Sequence, residues 1–131
     1  MINASAAPVR LEISDTALEP GTNPGEFVVR YVEDGNTTYY RVRLSLHGEH
    51  LPFVESVTYH LHHTFPNQER RVQRSFANQN CELAIWTWGL FEVHAVVTDK
   101  KGGTLRLSRE LSYDRDFERK GVRFVQQARA D

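Results

Sequence analysis

The clearest regularity along the chain is an alternation of apolar and polar residues with a period of two. Tyr40, Val42, Leu44 and Leu46 alternate with Arg41, Arg43, Ser45 and His47, and the run stops at Gly48. Because successive side chains of a strand leave opposite faces, this spacing predicts a β-strand with one apolar and one solvated face. Leu44→Ala is then expected to cost about 2–5 kcal/mol, against less than about 0.5 kcal/mol for Arg43→Ala on the polar face. The same alternation marks Val9, Leu11 and Ile13, then Val57, Tyr59 and Leu61, then Phe91, Val93, Ala95 and Val97. Shorter segments near 71–74 and 83–86 and the stretch Leu105, Leu107, Leu111 add further strands.

Turn residues fall between these runs. The segment Asp15 to Gly25 holds Pro20, Gly21 and Pro24 and reads as a loop. Asp34-Gly35-Asn36 predicts a tight hairpin before the Tyr40 strand, and Lys101-Gly102-Gly103 predicts a second before Leu105. Pro66 ends the strand of Tyr59, since it has no N–H to give to a ladder. About eight short strands, with no long amphipathic helix before residue 114, predict an all-β fold: an immunoglobulin-like antiparallel β-sandwich. Beyond Asp114 the spacing of Phe117, Phe124 and Val125 is partly helical but broken by Gly121, which predicts a short C-terminal helix or irregular tail. The expected organisation is one domain over residues 1–131, with its core at 9–113 and a tail at 114–131.

Composition narrows the function classes. Sixteen Lys and Arg against 17 Asp and Glu leave a formal charge of -1, so no global field holds a polyanion and direct nucleic-acid binding is not expected. No apolar run approaches the roughly 20 residues of a membrane span. One cysteine, Cys81, and a start without a basic leader or apolar core are read as cytoplasmic. Cys81 heads an apolar strand and is expected to be a buried structural thiol rather than a nucleophile. His60, His62 and His63 lack a further ligand nearby, so neither a metal nor a cofactor is expected. Arg70, Arg71 and Arg74, with Glu69 beside them, read as the charged guard of a sheet edge. No phosphate loop, nucleophile elbow or paired carboxylates in a recognisable setting are present, so the chain is read as a non-enzymatic binding module.

Two segments join strands to aromatic loops: Leu61-His62-His63-Thr64-Phe65-Pro66 and Thr87-Trp88-Gly89-Leu90-Phe91. In this order, with Val57 to His60 before them and Phe91 to Val97 and Leu105 to Leu111 after, the sequence resembles a YEATS domain over about residues 38–113, and its Thr87-Trp88-Gly89 wording resembles the prokaryotic branch. The resemblance implies the sandwich fold and an aromatic slot that reads acetyl- or crotonyl-lysine, with an acylated lysine peptide or protein as partner. By the same resemblance His62 orders the loop, Thr64 engages the acyl amide, Phe65 and Trp88 form the walls, and Gly89 and Phe91 shape the loop beneath. Thr87 stands where reader loops usually have Gly, and Tyr39 or Tyr40 is the candidate third aromatic. The alternative is an interaction or sensor module of a prokaryotic signalling or defence system that does not read acyl-lysine.

The chemistry suits these residue types. Acylation turns the lysine ammonium into a flat, neutral amide that aromatic walls can enclose without desolvating a charge. Its donor and acceptor still need partners, since leaving one buried and unpaired costs about 1–3 kcal/mol.

Overall fold

The computed structural model describes residues 10–128, which form two sheets packed face to face as the immunoglobulin-like sandwich. The first sheet is centred on β4 (Thr37–His47). Tyr40 of β4 faces Tyr31 of β3 (Phe27–Asp34) on one flank and Thr87 of β7 (Leu83–Thr87) on the other. Further along, Arg43 lies between Thr16 of β1 (Glu12–Thr16) and Ala84 of β7. The second sheet has the order β6-β5-β8-β9, built from β5 (Val54–His60), β6 (Glu69–Gln73), β8 (Glu92–Asp99) and β9 (Thr104–Glu110). Two pieces were not expected: the two-residue β2 (Glu19–Pro20) and β10 (Val122–Gln126), which bring the strands among the described residues to ten.

The alternation in the sequence becomes the core. Val42, Leu44 and Leu46 of β4, Val57 and Tyr59 of β5, and Val93 and Ala95 of β8 are all at most 1% exposed. Leu11 and Ile13 are buried as expected, while Val9 lies outside the described residues. Tyr59 donates its hydroxyl to the Cys81 carbonyl at 2.7 Å, which pairs a polar atom deep in the core. Burial pushes the Tyr59 phenol far up and also raises the Cys81 thiol, the latter against the charge of Arg74. Cys81 is therefore the buried structural thiol that its position implied. Both hairpins form as read. Gly35 takes φ +64° between Asp34 and Thr37, and the Asp99 carboxylate accepts the amides of Lys101 and Gly103 at 2.8 and 2.9 Å.

Three expectations are corrected. The loop assigned to 15–25 begins two residues late, because Asp15 and Thr16 continue β1. Asp15 is drawn in by Arg109, whose Nε lies 2.8 Å from its carboxylate, and by the Ser112 amide at 2.7 Å; its side chain has no exposed surface. The tail from 114 is a 3-10 helix (Tyr113–Glu118) followed by β10, which runs parallel to β3. Gly121 does not merely interrupt a helix there: with φ +83° it turns the chain into β10, and its carbonyl accepts the Phe27 amide at 3.0 Å.

The polar face of β4 is also less wet than its residues implied. Arg43 donates to the Leu18 carbonyl, lies 3.6 Å from Glu82, and keeps only 26% of its side chain exposed. Glu19 takes Arg41 at 2.8 Å and Arg30 at 3.2 Å. Burial raises the Glu19 carboxyl, but the bonds and charges of these two arginines outweigh it and hold it below its ordinary value. Arg43→Ala is therefore expected to cost about 1 kcal/mol rather than nothing, as a shift in denaturation midpoint would register.

Candidate functional site

Two loops meet at one end of the sandwich. The first leaves β5 after His60 and is folded by short-range bonds. The Leu61 amide donates to the Gln68 carbonyl at 2.8 Å, and the Phe65 amide to the His62 carbonyl at 3.0 Å. His62 Nδ1 lies 2.9 Å from the Thr64 hydroxyl and 3.3 Å from the Thr64 amide. A backbone N–H can only donate, so Nδ1 is the acceptor and the Thr64 hydroxyl gives its proton to the ring. The lone pairs of that hydroxyl are left to receive an N–H from outside.

The second loop joins β7 to β8. Thr87, only 2% exposed, donates its hydroxyl to the Gly89 carbonyl at 3.0 Å and accepts the Gly89 amide at 3.4 Å. The β-branched residue that departs from the usual Gly thus pins the turn instead of disturbing it. Tyr113 donates to the same Gly89 carbonyl at 3.0 Å from the 3-10 helix. Phe91 passes its carbonyl to the Leu111 amide and sets its ring 5.4 Å from Phe65 and 5.8 Å from His62.

Between the loops lies a cleft of about 30 Å³ lined by His62, Thr64, Phe65, Thr87, Trp88, Gly89 and Phe91. All six residues singled out by the motifs are brought together here, with Thr87 added. Phe65 and Phe91 are half-buried against the core, whereas Trp88 and Leu90 stand 55% and 50% exposed at the rim. Neither Tyr39 nor Tyr40 lines the cleft; Tyr40 instead packs on Phe117 at 4.7 Å and on Tyr113 at 6.2 Å. Of the histidines, His62 and His63 stack at 4.1 Å, and among the described residues no group of three His, Cys, Asp or Glu could hold a metal ion.

Sequence reasoning missed two supports. Arg70 lies on the edge strand β6 as expected, but its guanidinium donates to the carbonyls of Asn67 at 2.6 Å and Pro66 at 3.0 Å, which fixes the far side of the first loop. Tyr113 fixes the second. The only signal for Tyr113 was an aromatic just past the last strand. Burial pushes its phenol up to about 12 from an ordinary 10, with a smaller opposing effect from Thr87. The neutral hydroxyl is the form the fold holds, so its contribution is complete below pH 10 and is lost as pH rises through about 12. Tyr113→Phe is expected to cost about 1 kcal/mol by leaving the Gly89 carbonyl one donor short, read from denaturation followed by tryptophan fluorescence.

Residues 40–112, more than half of the chain, match the prokaryotic YEATS domain family. No curated protein matches. Among solved structures, the chain is similar to the Yaf9 YEATS domain recognising an H3K122suc peptide, with a TM-score of 0.54 and 18% identity over 79% of this chain and 71% of that one. It is likewise similar to the yeast AF-9 homolog protein Yaf9, with a TM-score of 0.51 and 17% identity over 79% of this chain and 64% of that one. At these identities the likeness is one of fold. Among the described residues no helix is long and apolar enough to cross a membrane. With the family match spanning the strands and both slot loops, the chain belongs to the prokaryotic YEATS domain family.

Proposed function

We propose that this domain is a non-enzymatic module that binds a peptide bearing an acylated lysine, with Phe65 and Trp88 enclosing the acyl group. The observation that carries the reading is the convergence of two aromatic walls, a hydroxyl with free lone pairs and a backbone turn on a single cleft. Thr64 receives the amide N–H, and the turn at Trp88-Gly89 faces the acyl carbonyl. A structurally similar YEATS domain recognises an acylated histone peptide, which fits the same partner class.

The cleft is about the size of one water, so the acyl group needs a wall to move. Trp88 is the wall free to do so, because its indole is half exposed while Phe65 is held on Phe91. The same small volume favours a second reading, in which the exposed Trp88 and Leu90 dock a protein surface and no acyl-lysine is read.

The two are separated by variants of the slot. On the acyl reading Trp88→Ala abolishes detectable binding of an acyl-lysine peptide, since it removes a wall and stacking worth about 0.5–1.5 kcal/mol beyond area burial. Thr64→Ala weakens binding about tenfold by stranding the amide N–H. Circular dichroism must show both folded. Equal affinity of Thr64→Ala and the unaltered domain would remove the polar contact and favour the docking surface.

A further inference from the structure

The largest cavity lies at the opposite end of the sandwich from the slot. The slot follows the last residue of β5 and precedes the first of β8; this cavity opens at Val54, the first residue of β5, and at Asp99, the last of β8. It has a volume of about 380 Å³, within the usual range for small-molecule sites and far above the slot. Its floor is the open end of the core itself. Leu11 comes from the first sheet, Val54, Val97 and Leu105 from the second, and Phe53, 62% exposed, stands as a side wall.

The rim carries donors. Lys100 and Lys101 line the cavity and make no ion pair among the described residues. The turn that presents them is fixed: Asp99 accepts the amides of Lys101 and Gly103, and the Lys100 amide donates to the Phe53 carbonyl at 2.9 Å. His50 also lines the cavity. Its Nδ1 accepts the Arg10 amide at 2.7 Å, which leaves the Nε2 hydrogen as a further donor. Asp99 is the one acid on the rim, and the two lysines outnumber it.

We propose that this cavity binds a small amphipathic carboxylate, an alkyl or aryl body carrying one anionic head. The body continues the core over Leu11, Val54, Val97 and Leu105, where removing apolar surface from water drives binding. The head meets Lys100, Lys101 and the His50 N–H, which a neutral chain uses less and an ammonium is repelled by. This site is independent of the acyl-lysine slot.

The test is a methyl NMR titration of the whole chain with octanoate, octanol and octylamine. Octanoate is expected to shift the methyls of Val54, Val97 and Leu105 saturably while the Trp88 indole N–H stays in place. Lys100→Ala with Lys101→Ala should weaken octanoate about tenfold and octanol by no more than about twofold, because only the carboxylate uses their charge. Leu105→Trp, which fills the cavity, should lose both ligands; should it fail to fold, the lysine pair still decides. The proposal is overturned if octanoate leaves the three methyls unmoved, if octylamine moves them as far, or if the response centres on Trp88. It is overturned as well if the shifts depend on protein concentration and light scattering shows a dimer, since a second copy would then fill the cavity.

Discussion

Gly48→Ala is expected to leave the domain largely unfolded at room temperature. Gly48 has φ +140°, a conformation that L side chains rarely adopt, and an added Cβ would lie 2.1 Å from the Arg10 carbonyl oxygen, 2.7 Å from the Arg10 carbonyl carbon and 2.8 Å from Leu11 Cα. All three obstacles are backbone, so no rotamer change relieves them. The strand leading into β1 would have to lift from β4, and with it the register that sets Leu46 opposite Ile13. A cost above about 4 kcal/mol belongs to this kind of backbone strain and takes most of the roughly 5–15 kcal/mol that holds a domain. Loss of the cooperative urea transition would be the sign. A midpoint within about 1 kcal/mol of the unaltered protein would show that the β4–β5 turn can be rebuilt without β1.

Leu44→Ala is the second large effect, at about 3 kcal/mol. Leu44 has no exposed surface and sits in the middle of β4 with β1 on one flank and β7 on the other, so its neighbours are held by two ladders and can close little of the cavity. The matched control is Arg106→Ala on the exposed face of β9, expected within about 0.5 kcal/mol. Equal denaturation midpoints for the two would mean that the apolar face of β4 has been placed on the wrong side of the sheet.

These two residues mark what the sequence discloses and what it hides. Leu44 was legible because burial on one face of a strand writes itself as alternation. Gly48 was legible only as the end of that strand, since its close approach to Arg10 joins residues far apart in the chain. Asp15 read as loop for the same reason: the Arg109 and Ser112 that bury it lie 94 and 97 residues away. In β10 the residues are at best half-buried and the strand is held by backbone pairing to β3, so there was no alternation to find.

The site divides along the same line. His62, Thr64, Phe65, Trp88, Gly89 and Phe91 came from two local motifs, and they line one cleft. The groups that hold the motifs in shape were invisible, because each acts across the fold. Tyr113 reaches Gly89 over 24 residues, and Thr87 looked like a defect until its hydroxyl was seen to bind the turn. Arg70 looked like edge protection, and its second role at Pro66 and Asn67 depends on a turn whose geometry spacing does not reveal.

Calorimetric titration of the unaltered domain with one peptide in three forms, carrying free, acetylated or crotonylated lysine, tests acyl-lysine reading most directly. The account predicts saturable binding of the acylated peptides, with the flatter and larger crotonyl group at least equal to acetyl, and binding of free lysine weaker by about tenfold or more because its ammonium must shed water to enter between Phe65 and Trp88. Equal heats for free and acylated peptides, or none for any of the three, would contradict it.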